Sequence, residues 1–185
     1  MIEDENKMKK SVLIVAYHFP PAGGAGVQRL LKFVKYLPQY GWEPIVVTAK
    51  KPSVPCYDPS LLTEIPAECH VMRIPTLEVP YGQKQKVWQK IAPDGKETRV
   101  RAKQIIKHVA QSIFIPDYQV GWVPFAVNAC LKVMKSRSID VVFISAPPFS
   151  NLLVGVILKI ITRKKWVADF RDEWTGFYDR FYETH

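Results

Sequence analysis

The sequence is poor in cysteine, and its few cysteines are badly placed for cross-links or for zinc. Cys56, Cys69 and Cys130 lie far apart, their number is odd, and none belongs to a Cys-x-x-Cys pair. A disulfide framework and a cysteine-based zinc site are therefore not expected. We predict free thiols in a reducing compartment, which points to the cytoplasm.

A long hydrophobic run is also missing. The longest apolar stretch, Leu152–Ile161, is too short to cross a bilayer and contains Lys159, so it is expected to form a core helix. The apolar residues 12–17 are followed by His-Phe-Pro-Pro and not by a small-residue cleavage site. The sequence therefore predicts neither a signal peptide nor a membrane span.

Acidic residues are too few to balance the basic ones. The chain has 26 Lys and Arg against 17 Asp and Glu, which gives a net charge of +9. This surplus suggests a negatively charged partner, such as a phosphate group, nucleic acid or an anionic lipid surface. Seven of the basic residues fall between Lys84 and Lys103, and Lys107 follows them. A solvated helical face explains such a run equally well, so charge alone does not select the partner.

What the sequence does contain is an alternation of short β-branched runs with longer segments of helical period. At 185 residues and 48% hydrophobic, the chain can bury the core of one compact domain. The alternation predicts an α/β class with a Rossmann-like, doubly wound, mainly parallel sheet. The first strand is expected at its centre and the third nearer an edge. The predicted strands cover residues 12–17, 44–48, 71–74, 139–145 and 166–170. The predicted helices start near Val27, at Arg99 (ending at Ile115), at Pro124 and after a cap at Ser150 or Asn151.

A glycine-rich loop connects the first strand to the first helix. Gly23, Gly24 and Gly26 lie within four positions, just before the helix that starts near Val27. Glycines allow a close approach of the backbone, and the free N–H groups of a helix start can hold a phosphate. The same residues could also form a plain tight turn. We identify them as a candidate phosphate-binding loop.

The loop departs from two known nucleotide-binding motifs. Arg29 stands where a dinucleotide fingerprint needs glycine or alanine, and no acid follows the second strand to bind a ribose hydroxyl. NAD is therefore disfavoured, whereas NADP, which could use Lys50 and Lys51, stays open. A Walker A loop is absent because no Gly-Lys-Ser or Gly-Lys-Thr follows the glycines.

A second group of polar residues follows the fifth predicted strand. Asp169, Arg171, Asp172 and Glu173 crowd its carboxyl end, where open parallel sheets bind their ligands. Such carboxylates could bind sugar hydroxyls or transfer protons, or they could form an internal ion pair. No Asp-x-Asp occurs in the chain, so a metal-bridged diphosphate site lacks its usual ligands, and no metal or cofactor is expected.

Three single residues lie near the same edge of the predicted sheet. His18 follows the first strand and is a candidate catalyst together with Asp169 and Asp172, although a lone histidine is commonly a packing residue. Ser145 ends the fourth strand, where it could make room for a ligand or begin a rigid turn. Trp122 precedes a helix, where it could stack on a sugar or anchor the core. The candidates for binding an acceptor are Arg171, Ser145 and Trp122.

These residues resemble a known family. The segment from Val12 to Thr48, with its Phe-Pro-Pro, Gly23-Gly24, Gln28-Arg29 and Gly41, is similar to the first βαβ unit of the family-four (group 1) retaining glycosyltransferases. The segment Asp169–Trp174 resembles one found in a subset of that family, whereas many other members have histidine near the strand end. The likeness covers nearly the whole chain, which is identified as the N-terminal, acceptor-side domain.

The resemblance implies a GT-B fold and transfer of a hexose-type sugar, with retention and without a metal, from a nucleotide-sugar. It implies that the glycine loop faces the donor diphosphate, and that the acceptor is a cell-envelope, polysaccharide or lipid-linked molecule. The family's C-terminal domain carries two glutamates about two helical turns apart, and no such pair occurs in residues 1–185. We therefore expect that domain to be absent and this chain alone to transfer no sugar. Electropositive domains of this kind often rest on the inner face of the membrane, to which the basic helix from Arg99 would bind.

Two other functional classes remain open on the sequence alone. An NADP-dependent oxidoreductase domain would bind NADPH, which the transferase hypothesis does not expect. A non-catalytic nucleic-acid-binding module would suit the charge, but the chain shows no aromatic strip or recognition helix, so nucleic acid is not expected as a partner.

Overall fold

The computed structural model describes residues 9–78, 81–83 and 116–172. The predicted basic helix at 99–115, all of the basic residues from Lys84 to Lys107, and Glu173 and Trp174 lie outside these residues. The strands are β1 (Lys10–Val15), β2 (Trp42–Ala49), β3 (His70–Ile74), β4 (Val141–Ala146) and β5 (Lys165–Phe170). The α-helices are α1 (Ala25–Tyr36), α2 (Val123–Ser136) and α3 (Ser150–Thr162), with 3-10 helices at Leu37–Tyr40, Pro59–Glu64 and Tyr118–Trp122.

The five strands form one sheet in the order β3-β2-β1-β4-β5, and every neighbouring pair is parallel. The predicted α/β, Rossmann-like class is confirmed, with β1 at the centre and β3 at an edge. The register aligns Leu13 of β1 with Ile45 of β2 and with Val142 of β4. From β1 the chain first adds β2 and β3 on one side and then β4 and β5 on the other. The direction of winding therefore reverses between β1 and β4.

Helices cover both faces of the sheet, because the buried side chains of β1 alternate between the faces. Leu13 and Val15 belong to one core cluster, which α2 and α3 complete. Val12 and Ile14 belong to a second cluster, to which α1 contributes Leu30 and other apolar residues. The fold therefore has three layers, with a central sheet between two layers of helix.

The ends of several elements differ from the prediction because partners distant in sequence determine them. β1 begins at Lys10 because Lys10 and Ser11 pair with the start of β2. α3 is not capped by the side chain of Ser150 or Asn151. Instead, the backbone N–H of Ser150 donates a hydrogen bond to the Asp117 carboxylate at 2.9 Å. This capping residue lies 33 positions upstream, where no local pattern reveals it.

The cysteines agree with the prediction of free thiols. Cys56 is exposed, Cys69 is half-buried and Cys130 is buried, and all three are unpaired. Burial raises the pKa of the Cys69 thiol to about 11, with a smaller contribution from the charge of Glu68. Among the helices that the structure describes, none combines the length and apolar character needed to cross a bilayer.

Candidate functional site

The candidate site lies at the carboxyl edge of the sheet, where the direction of winding reverses. The loop after β1 leads through residues 18–24 to α1, and the turn after β4 leads through residues 147–149 to α3. Residues 171 and 172 follow β5 at the same edge. In open parallel sheets a crevice forms at such a reversal and receives the ligand.

Gly23 and Gly24 have different physical roles in the glycine loop. Gly24 precedes the first residue of α1 with φ 106° and ψ 163°, a conformation that side-chain-bearing residues rarely adopt. Gly23 is packed closely, because a Cβ atom there would lie 2.9 Å from Cys56 Sγ. Gly24 is exposed and no side chain caps α1, so the loop leaves the start of the helix open to an anion.

Gly26 makes room for the side chain of Arg171. A Cβ atom on Gly26 would lie only 1.6 Å from Nη1 of Arg171. Nε of Arg171 donates a hydrogen bond to the Ala146 carbonyl at 3.3 Å, and Nη2 donates to the Pro147 carbonyl. The guanidinium group is thus held between the first turn of α1 and the turn after β4, where its charge adds to the positive end of the α1 dipole.

Burial is the main cause of a lowered pKa of Arg171, and the nearby Arg29 lowers it further. The charges of Asp172 and Asp169 oppose this shift. An arginine stays protonated in proteins, so the group remains a cation at this edge. A cation and an open helix start beside each other form a surface suited to a phosphate or diphosphate.

Asp169 is buried and already paired. Its side chain is 8% exposed, and Oδ1 lies 2.8 Å from Nη2 of Arg29, which is 49% exposed. The hydroxyl of Ser145 donates to Oδ2 at 3.4 Å. Arg29 is exposed on α1, yet its guanidinium reaches the end of β5 to pair with this carboxylate. The internal ion pair is therefore present, and a role of Asp169 in proton transfer stays a prediction.

His18 and Asp172 lie at the same edge in different environments. Asp172 is exposed, whereas His18 is half-buried, with its ring edge-on to Tyr17 at a centroid distance of 5.0 Å. Burial, and secondarily the charge of Arg171, lower the pKa of His18 from 6.5 to about 4. His18 is consequently neutral at pH 7, where it can donate or accept a hydrogen bond but carries no charge.

The lowered pKa of His18 predicts a pH-dependent stability. The unfolded chain binds this proton near pH 6.5 and the folded chain only near pH 4, so protonation favours unfolding. The stabilising contribution of neutral His18 to the free energy of unfolding is fully present above pH 6.5 and is lost as the pH falls toward 4. We expect the difference in unfolding free energy between wild type and His18→Gln to change by on the order of 2 kcal/mol across this window. Urea denaturation at half-unit pH steps measures it; parallel curves for the two proteins would contradict the assignment.

Ser145 and Trp122 lie beneath the site and do not line it. Ser145 is 1% exposed and its hydroxyl is directed at Asp169. Trp122 is fully buried, its indole N–H donates to Asn151 Oδ1 at 3.0 Å, and its ring meets Tyr17 edge-on at 5.4 Å. The stacking role predicted for Trp122 is therefore wrong, and the alternative of a core anchor holds. Ser145 positions Asp169 and has no open face for an acceptor.

A cavity of about 690 Å³ lies beside the site, beyond the ends of β2 and β3. Lys50, Lys51, Tyr57, Glu78 and Tyr81 are among its lining residues. No sequence pattern indicated this cavity, and of these residues only Lys50 and Lys51 were ligand-binding candidates, for NADP. Within the described ranges, no cluster of three or more His, Cys, Asp or Glu side chains is arranged to hold a metal ion.

Comparison with known proteins identifies the fold. No family model matches the chain, and no curated protein matches it in sequence. Among solved structures, sucrose-phosphate synthase from Thermosynechococcus elongatus matches over 92% of this chain with a TM-score of 0.55 at 13% identity. The chain has the fold of one half of a GT-B glycosyltransferase.

The chain spans 35% of the length of that synthase. Two structures of UGT2 from Phytolacca americana also match, over 86% of this chain and about 30% of theirs. Their identities are 16% and 14%, and their TM-scores of 0.43 and 0.44 are too low to support an argument. At these identities the likeness establishes the architecture only.

Proposed function

We propose that this chain is the N-terminal, acceptor-side domain of a retaining GT-B glycosyltransferase of the family-four type. It would form one wall of the cleft in which a hexose-type sugar passes from a nucleotide-sugar to an acceptor. One observation carries the proposal: the start of α1 at Gly24–Gly26 lies against Arg171 at the edge where the winding reverses. That edge combines a close backbone approach, helix N–H groups and a fixed cation.

The charge of this edge suits the leaving group of a glycosyl transfer. When the bond to the sugar breaks, negative charge accumulates on the nucleoside diphosphate, and positioned donors lower the barrier by stabilising it. The N–H groups after Gly24 and the guanidinium of Arg171 would supply such donors. They are fixed before the reaction, because the Ala146 and Pro147 carbonyls hold Arg171 in place.

Two side chains at the rim would bind sugar hydroxyls. Neutral His18 can exchange hydrogen bonds with a hydroxyl without adding charge, and exposed Asp172 can accept a proton or a hydrogen bond. Asp169 would act through its neighbours, since its oxygens already bind Arg29 and Ser145. No metal is required by this arrangement, because Arg171 and the helix start take the role of a counter-cation.

The rest of the proposed enzyme is a second α/β domain that binds the nucleotide. Residues 1–185 contain no pair of glutamates at the spacing that the family uses, and they span 35% of sucrose-phosphate synthase. We therefore propose that this chain alone is inactive. Its acceptor would be a cell-envelope, polysaccharide or lipid-linked molecule, and the basic stretch that starts at Arg99 would hold the protein at the inner face of an anionic membrane.

The test compares the 185-residue chain with the full product of its gene. Each protein is incubated with labelled UDP-, GDP- and ADP-hexoses and a membrane extract, and transfer is measured. We expect none from the 185-residue chain, and transfer with retained anomeric configuration from a longer product that contains a second α/β half. Arg171→Ala in that product should lower kcat by about 100-fold, because one positioned donor to the developing charge is lost. Turnover by the 185-residue chain, or a gene that encodes no second half, would contradict the proposal.

A further inference from the structure

The cavity beyond β2 and β3 has the size and construction of a small-molecule site. Its volume of about 690 Å³ lies in the range usual for ligand pockets. Lys50 follows β2 directly, and its backbone N–H donates to the Ile74 carbonyl at 2.7 Å, which joins the ends of the two strands. The walls thus begin on rigid elements.

A buried tyrosine holds two residues of the cavity lining, Ser53 and Glu78. Tyr17 is fully buried, and its hydroxyl accepts a hydrogen bond from the Ser53 N–H at 3.0 Å. Burial, and then a hydrogen bond to Glu78, raise the pKa of Tyr17, so the phenol stays protonated and donates to that carboxylate. The Thr76 hydroxyl also donates to Glu78, at 3.2 Å. Glu78 is therefore a positioned carboxylate in the lining, and carboxylates readily accept hydrogen bonds from hydroxyl groups.

Two lysines make the cavity electropositive. Lys50 and Lys51 are exposed, and within residues 9–78, 81–83 and 116–172 no ion pair engages either of them. With Glu78 as the opposing charge, the described lining carries one positive charge in excess. Two adjacent ammonium groups beside a single carboxylate suit a ligand that has an anionic end and a hydroxyl-bearing end.

One wall is aromatic and is joined to the glycine loop. Tyr57 is 52% exposed, and its hydroxyl donates to the Pro52 carbonyl, which holds the ring. Residues 56–58 are hydrogen-bonded to the glycine loop through Gly23 N–H to Cys56 O at 3.0 Å and Asp58 N–H to Pro21 O at 2.8 Å. A ligand against Tyr57 is thus adjacent to the loop that precedes α1, and a tyrosine face is suited to packing on a sugar ring.

We propose that this cavity binds a phosphate-bearing acceptor, with Lys50 and Lys51 on the phosphate, Tyr57 against the ring and Glu78 on a hydroxyl. The term acceptor rests on the proposed function, whereas the phosphate site itself rests on the cavity alone. A soluble sugar phosphate and a phospholipid headgroup share this chemistry.

The experiment measures binding in the absence of any donor. Glucose 6-phosphate, glucose and inorganic phosphate are titrated separately into the 185-residue chain by isothermal calorimetry. Vesicles of phosphatidylcholine with and without phosphatidylglycerol form a second arm. We expect glucose 6-phosphate to bind at least tenfold more tightly than glucose, and Lys50→Ala/Lys51→Ala to weaken that binding at least tenfold.

The matched control is Lys132→Ala/Lys135→Ala, which removes the same charge from exposed positions of α2 and should leave the binding unchanged. Lysine-dependent binding only to anionic vesicles would assign the phosphate to a lipid headgroup and would also support the site. Equal losses in both double variants, or no binding in either arm, would overturn it. If binding depends on Lys50 and Lys51 but the longer gene product transfers no sugar, the proposed function fails and the phosphate site remains.

Discussion

Replacing Trp122 with alanine is expected to lower the free energy of unfolding by about 3–5 kcal/mol. The side chain is fully buried, and its removal leaves a large cavity between α2, α3 and the sheet. The change also removes the indole donor to Asn151, whose amide in turn donates to the Ser145 carbonyl at 2.7 Å. Urea denaturation followed by far-ultraviolet circular dichroism measures the loss.

Two comparisons separate the contributions of packing and hydrogen bonding. Trp122→Phe retains most of the apolar volume but leaves Asn151 Oδ1 without its donor. It should lower the free energy of unfolding by about 1–3 kcal/mol. Tyr40→Ala, at a side chain that is 78% exposed, should change stability by less than about 0.5 kcal/mol. A loss for Trp122→Ala as small as that for Tyr40→Ala would show that Trp122 is not a core anchor.

The substitution Gly26→Ala is expected to displace the Arg171 guanidinium and to lower the free energy of unfolding by about 1–3 kcal/mol. The added Cβ would lie 1.6 Å from Nη1 and 2.8 Å from Cζ, so the side chain has to leave both carbonyl acceptors. In a two-domain enzyme of the kind proposed above, the same change should reproduce the loss of kcat expected for Arg171→Ala, because the cation would no longer face the start of α1. Stability is measured by urea denaturation and kcat by the transfer assay.

A double-mutant cycle tests whether the loss of stability in Gly26→Ala arises from the contact between residues 26 and 171. Alanine is a better helix former than glycine by about 1 kcal/mol, and position 26 lies in the first turn of α1. In an Arg171→Ala background the clash is gone, so Gly26→Ala should become neutral or stabilising. A penalty of the same size in both backgrounds would show that residues 26 and 171 are not in contact.

Much of the architecture followed from the sequence because apolar period and burial are local signals. The runs at 12–17 and 139–145 are continuously apolar, which predicts strands covered on both faces, and β1 and β4 are the neighbours at the centre of the sheet. The parallel arrangement also predicted that the glycine loop and the residues after β5 share one edge. The contact between Gly26 and Arg171 shows that they do.

The remaining features depend on contacts between residues distant in sequence. Whether Trp122 is exposed or buried depends on how α2 and α3 pack, which no local pattern encodes. Arg29 lies on an otherwise solvated helical face, and only the position of β5 gives it Asp169 as a partner. The cavity is lined by residues that follow β2 and β3 and by Tyr57, which hydrogen bonds between residues 56–58 and the glycine loop bring together. The catalytic and donor roles of His18, Asp169, Asp172 and the glycines stay predictions.

The turn after β4 holds Arg171 through main-chain oxygens alone. Substitutions at positions 146 and 147 that preserve the path of the chain would present the same two acceptors, whatever side chain they introduce. Sequence drift at this turn is therefore constrained by backbone shape and not by side-chain chemistry. In related proteins, an arginine at the position of Arg171 would be a better marker of this site than the residues that hold it.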